Sequence, residues 1–276
     1  MSMSLSRALR RIGVVCAVAG VLLGTSLASR AAGRPADASL HTRPARVART
    51  VATQGATSAV NEARGMYGST PVTLKADGET VMAFPPAKSA SRAPMTVIYL
   101  HGAHGRVENG CPWFRSGASE LGWLVCPEAI ERQPDGSWSW GADVFAQSAV
   151  VHRTLRAAVA SGATTEPGVA VGFSQGSYVA VDLVKARLAR FRGLVLLGAE
   201  MHPNAAPLRE AGVLRIALGA GALDGAHDSL VEEARRLDGQ GIETRFFELG
   251  RIGHTYTVED TAILREAIAW AGGKDG

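Results

Sequence analysis

The chain has no apolar run long enough to be a secure membrane span. The stretch from Ile12 to about Leu27 falls short of the ~20 residues that a helix needs to cross a bilayer. Metal-ligand spacing is also missing: His101 and His104 stand near Cys111, but no carboxylate or second histidine cluster accompanies them, so no metal site is expected. No internal repeat is visible, which argues against a solenoid or an array. Only three cysteines occur, and one of them, Cys16, falls inside the N-terminal apolar run.

What is present divides the chain into three parts. Arg7, Arg10 and Arg11 precede the apolar run and small residues follow it, the layout of a secretory signal peptide over residues 1–32, cleaved between Ala28 and Ala32. The alternative is an uncleaved anchor, which the short run fits less well. Residues 33–65 are rich in Ala, Arg, Thr and Pro with few large apolar side chains. Such a segment buries too little surface to offset its ordering entropy and reads as a linker. Residues 66–276 are left as one domain. The whole chain is 46% hydrophobic and 20% charged, enough for one sizeable core.

The formal net charge of +4 changes meaning once the chain is divided. Residues 1–49 hold eight arginines and one acid, Asp37, which leaves 21 basic and 24 acidic groups for the rest. The domain is therefore slightly acidic, and its charge gives no support to nucleic-acid binding. Two cysteines remain after cleavage, Cys111 and Cys126. In an oxidising compartment such a pair suggests a disulfide, the alternative being two independent core residues.

Within the domain, apolar patterns alternate between two kinds. "TPVTLKADGETVMAF" gives two short strands around an Asp77-Gly78 turn. "MTVIYLHG", "GWLVCPEA", "PGVAVGFS", "RGLVLLGAE", "VLRIALGAG" and "TRFFELG" are runs of the kind that strands make. "AQSAVVHRTLRAAVASG", "HDSLVEEARRLDGQG" and "VEDTAILREAIAWAGG" have helical spacing. Alternation of this kind predicts an α/β fold, a mostly parallel central sheet flanked by helices.

One string carries chemistry. In Gly172-Phe173-Ser174-Gln175-Gly176 a hydroxyl sits between two glycines, after the strand Val169–Val171 and before a helix striped by Gly176, Val179, Ala180, Leu183, Val184 and Leu188. A sharp strand-to-helix turn holds a serine exposed as a nucleophile, and it needs tiny residues two before and two after. The following helix N-terminus favours an oxyanion beside Ser174. The backbone N–H groups of Gln175 and of Ala103, in the glycine-rich "YLHGAHG", are the expected oxyanion donors.

A base and an acid complete such a site. His254 in "ELGRIGHTYTVED" follows the last strand and is the expected base. Asp224 in "ALGAGALDGAHDSL" is the favoured acid, with Asp228 and Glu200 as alternatives. Trp138 and Trp140, in "DGSWSWGADVF", are candidates for a substrate pocket, although aromatics of this kind also serve as core plugs.

The "GFSQG" string with "LHG" upstream and the order serine, acid, histidine resembles the α/β-hydrolase superfamily over roughly residues 70–271. Among its members, it is similar to the small carboxylesterases and acyl-protein thioesterases and to secreted dienelactone-hydrolase-like and polyhydroxybutyrate-depolymerase-like esterases. The resemblance implies a triad of Ser174, Asp224 and His254, no cofactor, and a small-molecule ester as partner. The chain departs from the small carboxylesterases after the acid, where it reads "DGAHDS", and at Ala103-His104, so the resemblance names a superfamily and not a substrate.

Overall fold

A computed structural model describes residues 70–88, 90, 93–258 and 260–274. The expected signal peptide and linker lie outside the described residues. The first two strands, β1 (Val72–Ala76) and β2 (Glu79–Phe84), pair antiparallel across Asp77 and Gly78. Both turn residues have positive φ, 49° and 88°, as the right-handed twist of a two-residue hairpin requires.

The remaining strands of the main sheet are β3 (Met95–Leu100), β4 (Gly122–Cys126), β7 (Val169–Phe173), β8 (Gly193–Leu197), β9 (Arg215–Ala220) and β10 (Glu243–Glu248). Their order is β1-β2-β4-β3-β7-β8-β9-β10, antiparallel around β2 and parallel from β4 onward. A two-residue pair, β5 (Glu131–Arg132) with β6 (Trp138–Ser139), stands apart.

The strands' alternation supplies two cores. Ile98 and Leu100 of β3 point to one face, where they join the apolar stripes of α3 (Val144–Ala160) and α4 (Gln175–Lys185). Val97 and Tyr99 point to the other, toward α2 (Arg115–Leu121) and α7 (Ala262–Ala271). With both faces covered, the central strands are apolar at nearly every position, Thr96 of β3 being the exception, which explains their continuous hydrophobic runs. The stripe expected after Ser174 is buried from Gly176 to Val184, and Leu188 packs beyond the helix end.

Three helical pieces lie where no element is expected from the sequence: α1 (Val107–Gly110), a 3₁₀ turn (Cys111–Phe114) and α2, in series between β3 and β4. Cys111 and Cys126 are bonded there, with Cα atoms 6.0 Å apart, tying the 3₁₀ turn to the end of β4. The short α5 (Ala205–Glu210) and α6 (His227–Gly239) follow β8 and β9. Because β3, β7, β8, β9 and β10 run parallel, their C-terminal ends share one edge of the sheet. In open sheets of this type that edge is where ligands bind.

Candidate active site

Ser174 stands at the tip of β7 with φ 50° and ψ −117°, a conformation that L-residues rarely adopt. Strain of this kind costs about 1–3 kcal/mol and survives only where neighbouring contacts enforce it. Those contacts are visible. Ser174 N–H donates to the Leu197 carbonyl at 2.8 Å. A β-carbon on Gly172 would lie 2.5 Å from Ser177 Cα, and one on Gly176 would lie 1.9 Å from the Leu100 carbonyl oxygen. Both glycines are therefore required on space alone, since strand, turn and helix approach more closely than any side chain permits.

Ser177, fully buried, reinforces the turn: its hydroxyl donates to the Leu197 carbonyl and accepts from the Leu197 N–H, each at 3.2 Å. Sequence reasoning missed it. The available signal was a lone serine inside an otherwise apolar helical stripe.

The loop after β3 lies beside the serine. A β-carbon on Gly102 would come within 3.3 Å of Ser174 Cβ. Ala103, next in the chain, is exposed, and Gln175 opens α4. Among the described residues neither Ala103 N–H nor Gln175 N–H donates to a protein acceptor. Both N–H groups, one in the loop beside Ser174 and one directly after it in the chain, are thus unspent.

The loop is held from below. His101 is buried and its Nδ1 donates to the Gly102 carbonyl at 2.7 Å. Burial pushes its pKa below the ordinary imidazole value, so the ring is neutral near pH 7. Gly105 pairs with Trp138 through both backbone groups, at 3.0 and 2.9 Å.

His254 follows β10, and its Nδ1 donates to Asp224 Oδ2 at 3.0 Å. The second Asp224 oxygen accepts the Ala226 N–H at 3.0 Å. The Asp224 side chain is only 4% exposed, whereas that of His254 is 52% exposed. The carboxylate is fixed inside while the imidazole keeps about half of its surface exposed to solvent. The imidazole also lies against the ring of Phe173, the residue before Ser174, with centroids 4.9 Å apart.

The alternative acids are elsewhere. Asp228 is 99% exposed and bonds His227, and Glu200 is exposed with its backbone carbonyl accepting the Tyr178 hydroxyl.

Gly198, just past β8, occupies the centre of this arrangement with φ 56°. A β-carbon there would stand 3.0 Å from Phe173 Cε2, 3.1 Å from Asp224 Oδ2 and 3.3 Å from His254 Cε1. It was not singled out in the sequence, where it is one glycine among 32.

For the tryptophans, the core-plug alternative fits Trp140. Trp140 is fully buried, its indole N–H donating to the His101 carbonyl at 2.9 Å and its backbone N–H to Gln175 Oε1 at 3.0 Å. With no exposed face and its one side-chain donor already used, it braces the loop after β3 against α4. Trp138 is partly buried and lines a cavity of about 660 Å³ with Glu128, Ile130 and Arg153, a cavity that Ser174 and His254 do not border. Its contribution to the site is the backbone pairing with Gly105.

No family model and no curated protein matches the chain. Solved structures do match its architecture. Esterase LipW from Mycobacterium marinum superposes with a TM-score of 0.59 at 14% identity, covering 80% of this chain and 88% of that one. The Pyrobaculum calidifontis esterase gives 0.55 at 15% identity, covering 78% and 90%. An uncharacterized protein from Bacillus cereus ATCC 10987 gives 0.56 at 16% identity, over 68% of this chain and 63% of its own. With the parallel sheet, its two helical layers and the strand–turn–helix at Ser174, these likenesses make the chain an α/β-hydrolase in fold.

Proposed function

We propose that this protein is an exported serine hydrolase that cleaves carboxylic or thio esters through an acyl-enzyme. The observation that carries the reading is the Asp224–His254 hydrogen bond, whose imidazole lies against the ring of Phe173, the residue before a serine held in a strained turn. The esterases among the structural neighbours support it at the level of the fold.

The steps follow from these positions. His254, fixed through Nδ1, uses Nε2 to take the Ser174 proton as the hydroxyl attacks the ester carbonyl. Negative charge gathers on the carbonyl oxygen, where the Ala103 and Gln175 N–H groups receive it. Each such donor is worth about 10²–10³ in rate. Asp224 stabilises the imidazolium, which then protonates the leaving alcohol or thiol. Water attacks the acyl-Ser174 with His254 again as base, releasing the acid and restoring the serine. All groups in this scheme come from the chain, the ester and water.

Export is inferred from the signal-like N-terminus, and the Cys111–Cys126 disulfide supports it, because such bonds persist in oxidising compartments. No described helix is long and apolar enough to cross a membrane. Among the described residues no long insertion interrupts the C-terminal edge of the sheet, and small ester substrates are the class proposed.

The test is hydrolysis of p-nitrophenyl acetate and longer p-nitrophenyl esters by the native protein beside Ser174→Ala. Turnover by the native protein and its loss in the variant are expected. No turnover on any chain length, or equal turnover in both, would overturn the reading and favour a binding protein on the same scaffold.

A further inference from the structure

The turns that carry the acid and the base are joined beyond the ends of their strands. Leu249 N–H donates to the Ala220 carbonyl at 3.0 Å, Ala222 N–H to Gly250 at 2.9 Å and Leu223 N–H to Ile252 at 3.0 Å. The β9–β10 pairing thus continues as a ribbon past the sheet and brings Asp224 and His254 together.

A third side chain, outside the triad, closes the root of this ribbon. His227, the first residue of α6, donates its backbone N–H to the Asp224 carbonyl at 3.0 Å. Its ring bridges two carboxylates on different elements. Nδ1 lies 2.8 Å from Asp228 Oδ1 on α6, and Nε2 lies 2.8 Å from Glu248 Oε2 at the end of β10. The groups facing the ring are Asp228 from α6, and Glu248 and the edge-on ring of Phe246 from β10. The side chain is 22% exposed.

Ionised carboxylates only accept, so both contacts are donated bonds only when the imidazole is protonated. A neutral ring has one N–H and must turn a lone pair toward the other carboxylate.

We propose that His227 is a positioning residue whose protonated ring clamps the Asp224 turn to the end of β10 and thereby sets the Asp224–His254 geometry. The inference rests on the esterase reading for its effect on turnover. The hydrogen bonds it donates to Asp228 and then Glu248 raise the His227 pKa above the ordinary imidazole value. A raised pKa means that the clamp's contribution is complete at low pH and is lost as pH rises through the folded-state value. Catalysis, which needs His254 neutral, then has a working range bounded on its alkaline side by His227.

The experiment compares pH profiles of kcat and KM for p-nitrophenyl acetate in the native protein, His227→Gln and His227→Arg. The native kcat is expected to decline several-fold above the ordinary imidazole range, with KM changing less. His227→Arg, which keeps a charged group with several donors, should hold near-native activity and lose that decline. His227→Gln should be several-fold slower at all pH values and also lack the decline. Superimposable native and Gln profiles would overturn the proposal.

If the native protein hydrolyses no ester, the functional reading fails, and the clamp is read separately by proton NMR of the His254 Nδ1–H. That signal should broaden at alkaline pH in the native protein, at every pH in His227→Gln, and at none in His227→Arg. An identical signal in all three would refute the clamp.

Discussion

The β-carbon that Gly198 lacks would touch Phe173, Asp224 and His254 at once, and its φ of 56° penalises any L-residue by about 1–2 kcal/mol. Gly198→Ala is expected to displace the acid–base pair, lowering kcat/KM at least tenfold while the chain stays folded. Steady-state kinetics beside a thermal melt would check this. Asp224→Asn keeps the shape but not the charge, and it permits the wrong imidazole tautomer; kcat should fall by up to about 10⁴-fold with the circular dichroism spectrum unchanged.

The proposed acid was also the residue least decided by sequence. Asp224, Asp228 and Glu200 all follow Ser174 and precede His254, so order alone admits each. What separates them is burial and a backbone donor, and neither is written in chain order. The glycines at 172 and 176, by contrast, were legible, because their need comes from local sterics within five residues.

At the scale of elements, strands and long helices could be read because their periodicity records which faces are buried. The segment 107–121 could not. Gly110, Pro112 and Gly117 interrupt any helical pattern, and its short helices depend on distant partners. A β-carbon on Gly117 would lie 2.8 Å from Arg265 Cα in α7, a proximity no local window contains.

This segment supports the catalytic edge through rings. Phe114 stacks on Tyr99 at 4.5 Å and lies 5.3 Å from Tyr256, which meets Phe173 edge-on at 4.7 Å, and Phe173 in turn meets His254. The disulfide anchors the 3₁₀ turn that carries Phe114. Closing a loop over a sequence separation of 15 is worth about 3 kcal/mol in the chain-entropy model. The Cys111→Ser, Cys126→Ser double variant should lose stability of that order in urea titration, with a smaller loss of activity transmitted through Phe114 and Tyr256.

At the scale of the molecule, an open parallel sheet collects the ends of five strands on one edge, and each supplies one part. In the proposed mechanism β3 gives the oxyanion loop, β7 the serine, β8 the central glycine, β9 the acid and β10 the base. The fold class was legible from alternation alone, and the order of motifs matched the order of strands. The two readings of the tryptophans, pocket or core plug, stayed open for a related reason. Composition shows that Trp138 and Trp140 are large and apolar, but only the folded chain shows that Trp140 is fully buried against the loop after β3.

The central claim is that Ser174 accepts the acyl group. Rapid mixing of the protein with excess p-nitrophenyl acetate, acid quench and peptide mass analysis tests it directly. An acetyl adduct is expected on the peptide containing Ser174, formed within the first turnover and absent from Ser174→Ala. Turnover without any adduct on Ser174, or with the acyl group on another residue, would contradict it.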